Sequence, residues 1–368
     1  MLPVSAIKMT LIIKKMITKK NFAFAILFCL VAVSMYLFYG NSRTTTTTPP
    51  VKNLEKVKVQ AGWIINGEFA NICSAIVNGY YAKEGLDVEL IPGGPSGASF
   101  IVSTNTVAQD ESVDIAIDND LVPLLLGRGK ENQEVLRVKA FGSFWNDNPL
   151  GFIVNENSGL DSINDFAKTK PNGEKYKIGI TAGDVIQNAI AENIGVPVSE
   201  LNLVTIGCDA TPFLSKQVDA SIAYWTTQAY QVEKAGIPYK FLSASEIPGF
   251  SQPSMIAIAR ETTIKNKPEM LEKWLKATVK GNQFVAANPE TAAKQMRDPR
   301  CGGPSLDEEQ ELWLIKKSIA LFDKEKIGWI YEPQVSTFAQ KYYHLGQISH
   351  LPETSELVDY SILEKIYQ

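Results

Sequence analysis

The sequence predicts a two-lobed α/β fold with a two-stranded hinge and a helical C-terminal segment. Three observations carry that expectation. Residues 57–99 read as strand, helix, strand and glycine-rich loop. Residues 176–225 repeat the strand–helix alternation after a turn-rich break, and the apolar run Ser254–Ala259 would return the chain to the first lobe. Strands alternating with helices build helix-covered sheets, and open α/β sheets bind ligands at the carboxyl ends of their strands. A chain of 368 residues is long enough for two cores.

In chain order, residues 1–50 differ in composition from everything after them. They hold Lys8, Lys14, Lys15, Lys19, Lys20 and Arg43 and no acid, which leaves 30 basic against 40 acidic residues and a formal −10 in the remainder. That acidity argues against a nucleic-acid partner. Residues 1–21 read as a basic cytoplasmic N-terminus. Residues 22–39 form an uncharged, mostly apolar run, and no Ala-x-Ala cleavage site follows it. The expectation is an uncleaved signal anchor that exports the rest of the chain. Residues 40–55, with NSRTTTTTPP, read as a tether too polar to fold.

Val57, Val59 and Ala61 alternate with polar residues in a strand ending at Trp63. Phe69, Ile72, Cys73, Ile76 and Tyr80 keep helical spacing, with Gly85 placed as the glycine after a helix. Leu86, Val88 and Leu90 alternate again, and Pro92–Gly97 breaks the strand before the next predicted helix. Val113–Ile117 is a buried strand leading into Asp118-Asn119-Asp120. Val135–Trp145 is a further strand, and Asn146–Pro149 is a turn. The sheet-forming pattern then recurs at Tyr176–Thr181, Leu201–Ile206 and Val218–Trp225, with helices between. From Pro268 the reading is helical, with segments at Glu308–Phe322 and Val335–Leu345 packing on the first lobe. The boundaries are 56–145 with 252–368 for lobe 1 and 146–251 for lobe 2.

Catalytic patterns are missing. Both histidines, His344 and His350, lie near the C-terminus, which disfavours a Ser–His–Asp triad. Gly94-Pro95-Ser96-Gly97 lacks the glycine that GxSxG needs two residues after its serine, and no GK[ST] follows it. The exported part has three cysteines, Cys73, Cys208 and Cys301, without CxxC or metal spacing, and Cys73 and Cys208 read as small apolar fillers. No metal or cofactor is expected.

A binding cleft accounts for more. The predicted strand ends bring Trp63 with Asn66, Ser96 with Gly97, Asn119, Trp145, Gly183 with Asp184, and Tyr224 with Trp225 to one face. Aromatic walls with a few convergent polar groups suit a flat small molecule. Any one of these aromatics equally suits core packing. Ser96-Gly97 and Gly183-Asp184 each precede a predicted helix, where free N–H groups favour an anionic or polar ligand group and where Ser and Asp also serve as ordinary caps. The Asp184 carboxylate would repel an anion and suits an amine. Asp118 and Asp120 share this ambiguity, with surface solvation the simpler role.

Gly79-Tyr80-Tyr81 followed by Glu84-Gly85-Leu86-Asp87-Val88-Glu89, after a strand ending in Trp63, resembles the SsuA-like periplasmic solute-binding proteins. That superfamily is shared with the thiamine-pyrimidine synthases. Gly159–Phe166, Lys280-Gly281-Asn282 and Ala286–Ala293 extend the resemblance, which runs from about Lys56 to Pro289. It implies the type II periplasmic-binding-protein fold and a monomeric binding component serving an ABC permease. The ligand class implied is a thiamine-pyrimidine precursor or a related nitrogen heteroaromatic, with sulfonates, taurine and nitrate as alternatives. The fungal pyrimidine synthase of this fold carries a CCCFC motif. This chain has none, which disfavours the enzymatic branch.

Overall fold

The computed structural model describes residues 53–96, 99–130 and 135–368. The basic N-terminus, the apolar run 22–39 and all but the last residues of the tether lie outside the described residues, as does Gly97. Among the described residues no helix is long and apolar enough to cross a membrane.

Two five-stranded sheets organise the body. The first has the order β2-β1-β5-β12-β6, from β1 (Glu55–Ala61), β2 (Leu86–Ile91), β5 (Ile115–Asp118), β6 (Val138–Trp145) and β12 (Ser254–Arg260). β1 runs parallel to β2 and β5, while β12 lies antiparallel between β5 and β6. The second sheet, order β11-β7-β10-β8-β9, uses β7 (Leu150–Asn155), β8 (Lys177–Ile180), β9 (Asn202–Thr205), β10 (Ala220–Tyr224) and β11 (Tyr239–Ser243). β10 pairs parallel with β8 and antiparallel with β7. The chain crosses between the sheets twice, from Trp145 to Leu150 and from Ser243 to Ser254.

Helices cover the sheets: α1 (Ala70–Val77), α2 (Val122–Gly129), α3 (Ile186–Ile194), α4 (Gln228–Lys234), α5 (Pro268–Ala287), α6 (Glu308–Ile319) and α7 (Glu332–His344). The long α5 packs on α1 because its buried stripe, from Met270 through Trp274 and Thr278 to Asn282, recurs every three to four residues. Trp274 is fully buried and meets Tyr81, Phe141 and Phe144 at ring distances of 6.3, 5.8 and 6.0 Å. Polar groups within this interface pair with each other. Asn71 Nδ2 donates to Asn282 Oδ1 at 2.7 Å, and the Tyr81 and Thr278 hydroxyls lie 2.6 Å apart.

Two local readings are corrected. The helix expected over Phe69–Tyr80 breaks at Gly79, whose φ of +68° is open to glycine and strained for other residues, so Tyr81 rather than Tyr80 faces the core. The glycine-rich stretch does not lead into a helix. Gly94–Ser96 (β3) pairs antiparallel with Ser99–Ile101 (β4), and the next helix starts at Ser103. Ser96 is therefore not at a helix N-terminus. Gly93 is explained by packing: a Cβ there would overlap the Ala61 carbonyl oxygen, and its N–H donates to the Trp63 carbonyl at 3.0 Å.

Candidate functional site

A cavity of about 410 Å³ lies between the carboxyl ends of the two sheets. The first sheet contributes Gly62 and Trp63 after β1, Glu68 from the turn beyond, and Asp118-Asn119-Asp120 after β5. Thr181, Gly183 and Asp184 after β8 and Tyr224 at the end of β10 form the opposite wall, with Phe250 and Gln252 from the second crossing. Tyr342 on α7 closes one side; its neighbour Phe250 lies 6.3 Å away, ring to ring.

Of the residues expected from sequence, Trp63, Asn119, Gly183, Asp184 and Tyr224 come together in this cavity. Among the described residues, Ser96, Asn66, Trp145 and Trp225 do not line it. Asn66 is buried beside the cavity wall, where its Oδ1 accepts from the Glu68 N–H at 3.0 Å and caps the short turn Gly67–Phe69. Trp145 is 2% exposed in the core at the end of β6. Trp225 packs against Phe241 and lies under the Lys317 ammonium, 5.2 Å from its ring.

The electrostatics are one-sided. Four carboxylates, Glu68, Asp118, Asp120 and Asp184, line the cavity, and among the described lining residues none is Lys, Arg or His. Asp118 is fixed by the start of the preceding helix, Ser103–Gln109: its Oδ2 accepts from the Ser103 and Thr104 hydroxyls at 2.9 and 2.6 Å. Asp120 accepts from the Val122 N–H at 2.9 Å. Burial, then the charge of Asp118, pushes its carboxyl up to about 7. Asp184 accepts from the Ile186 N–H at 3.0 Å and the Thr181 hydroxyl at 3.1 Å, so it is held at the start of α3 while facing the cavity. Burial raises its carboxyl too. Glu68 is buried and accepts from the Thr226 hydroxyl at 2.6 Å, a bond that joins the two sides of the cavity. Burial raises it to about 7, against the lowering effect of that bond. The role of surface solvation expected for Asp118 and Asp120 does not hold.

Neutral polar groups complete the wall. The Asn119 carbonyl accepts from Ser254 Oγ at 2.5 Å and Asn148 Nδ2 at 2.9 Å, one from each crossing. Its side-chain Oδ1 is buried with no hydrogen-bond partner among the described residues. Gln252 Oε1 accepts from the Leu121 N–H at 2.8 Å. Among the described residues no group of three or more His, Cys, Asp and Glu is placed to hold a metal ion.

Residues 66–292 match the family model described as NMT1/THI5 like, more than half of the chain. The chain belongs to the NMT1/THI5-like family. A formylaminopyrimidine-binding protein of Halalkalibacterium halodurans is 23% identical over 270 residues, covering 72% of this chain and 77% of that relative. Riboflavin-binding protein RibY of Chloroflexus aurantiacus is 24% identical over 277 residues, 68% of this chain and 71% of its own. The periplasmic nitrate-binding protein NrtA of Synechocystis PCC 6803 superposes with a TM-score of 0.63 at 13% identity, covering 85% of this chain and 88% of that one. The fold of this NMT1/THI5-like chain is thus that of the type II periplasmic binding proteins.

Glu68, Phe250, Gln252 and Tyr342 were not legible as site residues. Glu68 follows Asn66 in the stretch read as leading into a helix. Tyr342 lies in a helix whose pattern signals only packing.

Proposed function

We propose that this protein is the solute-binding component of an ABC importer, holding a small nitrogen-containing heteroaromatic solute of the thiamine-pyrimidine-precursor type. Residues 56–145 with 252–368 form one lobe and 146–251 the other; the ligand enters between them and the lobes close over it. The observation that carries the reading is the cavity wall, with four carboxylates and no cation among its described residues. Such a wall favours a ligand presenting amino groups or a positive charge and repels sulfonate and nitrate. Trp63 and Tyr224 supply flat surfaces for a ring. The 410 Å³ volume suits a single small heterocycle with substituents. The formylaminopyrimidine-binding relative supports the same class.

The proposal includes an extracytoplasmic location, a tether to the membrane through residues 1–55, an ABC permease as the protein partner and a monomeric state. It assigns binding rather than catalysis; the competing reading is a thiamine-pyrimidine biosynthetic enzyme on the same fold. Thermal unfolding across aminopyrimidines, flavins, alkanesulfonates and nitrate tests it. Aminopyrimidines are expected to raise the unfolding temperature and to be recovered unchanged. Stabilisation by sulfonate or nitrate alone overturns the ligand class, and conversion of the pyrimidine overturns the assignment to binding.

A further inference from the structure

A second cavity, of about 360 Å³, opens at the other end of the second sheet. The parallel strands β8 and β10 run from one cavity to the other. Thr181 and Tyr224, at or just past their carboxyl ends, line the first cavity; Tyr176, Val218 and Asp219, just before their starts, line the second. Its floor is apolar: Phe213, Val218 and Tyr176 are almost fully buried beneath it.

The polar lining is the electrical opposite of the first cavity, with two lysines, Lys170 and Lys216, and one acid, Asp219. Asp219 Oδ2 accepts from the Lys170 ammonium and from the Lys177 N–H, both at 2.7 Å. Lys216 is left without an ion-pair partner among the described residues. The neutral lining groups have acceptors engaged and donors spare. Asn155 Oδ1 accepts from the Asn157 N–H at 3.0 Å, and Ser158 Oγ accepts from the Leu160 N–H at 3.2 Å. Neither the Asn155 amide protons nor the Ser158 hydroxyl proton meets an acceptor among the described residues.

Lys216 also stands where a lysine is out of place. It ends the short helix Thr211–Leu214 at a φ of +59°. Its N–H donates to the Phe213 carbonyl and the Gln217 N–H to the Pro212 carbonyl, both at 2.9 Å. That left-handed helix ending is the position glycine ordinarily takes, because a Cβ there crowds the backbone. A lysine held there against its backbone preference, beside a cavity and without a counter-charge, has a side chain with a use.

We propose that this second cavity binds a small monocarboxylate with an apolar body. Lys216, Asn155 and Ser158 supply the donors for the carboxylate, and the floor around Phe213 and Val218 takes the body. Asp219 sets the charge limit: one unpaired lysine matches a single negative charge, and a phosphate dianion would meet the Asp219 carboxylate with too little positive charge to offset it. The site does not rest on the importer reading above, and the acidic first cavity repels the same anion.

The test titrates the full chain with benzoate, hexanoate, neutral benzamide and inorganic phosphate, read by saturation-transfer NMR of each probe. Benzoate and hexanoate are expected to bind, and benzamide and phosphate to bind much more weakly. Lys216→Gly is expected to weaken benzoate about tenfold, the worth of one charge-assisted contact. Its unfolding temperature should stay level or rise, since glycine suits that backbone. Lys216→Arg, which keeps the charge, should retain binding. Absence of benzoate and hexanoate binding overturns the proposal, as does benzamide or phosphate binding as tightly. So does a Lys216→Gly variant that binds benzoate unchanged or unfolds at a lower temperature. Failure of the aminopyrimidine screen leaves these outcomes untouched.

Discussion

Glu68 shows how a single residue sets two opposite pH dependences. Its buried carboxyl titrates near 7, above the ordinary value of 4.5. Between those limits the folded protein holds a proton that the unfolded chain has released. The stability contributed by this group is therefore present below about 4.5 and lost as pH rises through 7. A ligand with a positive charge needs the ionised form, so its affinity should rise over the same interval. Asp120 and Glu311, both raised to about 7 by burial, push stability in the same direction. Glu68→Gln is expected to remove on the order of 3 kcal/mol from the stability difference between pH 5 and pH 8, and to flatten the rise in affinity. Denaturant unfolding without ligand and titration calorimetry with it read the two effects. An unchanged stability slope would mean that Glu68 is ionised throughout. Asp184 was readable from sequence because aspartate after glycine before a helix has few roles; Glu68 was not, because a glutamate two residues after asparagine looks like surface.

At the scale of elements, α6 gives the C-terminal segment a role that periodicity alone could not. The spacing of Leu314, Ile315 and Ser318 marks the face it buries, and the helix forms where expected. Its other face carries Trp313 and Lys317. Trp313 Nε1 donates to Glu233 Oε1 at 3.0 Å, and its ring lies 5.3 Å from that of Tyr230, both on α4. The Lys317 ammonium sits over Trp225 and Trp313 at 5.2 and 4.9 Å. α6 also packs on the Gly67–Phe69 turn, so it clasps the second-sheet half to the wall that carries Glu68. An aromatic pair at a strand end suits a ligand contact as well as core packing, and the cation partner of Trp225 lies far downstream in the sequence. Trp313→Ala is expected to speed ligand release about tenfold, the equivalent of one cation–π contact with its hydrogen bond. Trp225→Ala should do much the same, and the double variant little more, because both act through Lys317. Stopped-flow release rates decide this; additive effects, or none, would dismiss the clasp.

For the whole molecule, the alternation of strands and helices was legible because each element carries its own period. The placement of β12 was not, since an apolar run such as Ser254–Ala259 states that a strand is buried and says nothing of its neighbours. In the fold it fills the gap between β5 and β6. That position has a consequence in time. Strands β1, β2 and β5 can pair as soon as they exist, but β6 has no place in the first sheet until β12 arrives. Every strand of the second sheet, by contrast, lies within one continuous segment, Leu150–Ser243. A chain that emerges N-terminus first should therefore complete its second sheet while the first is still open, and the slow long-range pairing of β12 should limit the rate of the whole. Hydrogen exchange pulsed during refolding is expected to protect amides of β7 and β10 before those of β6. Simultaneous protection of β6 and β10 would show that the two halves fold as one unit. While that gap stays open the apolar edges of β5 and β6 are bare, so the interval before β12 docks is when this chain is most exposed to aggregation.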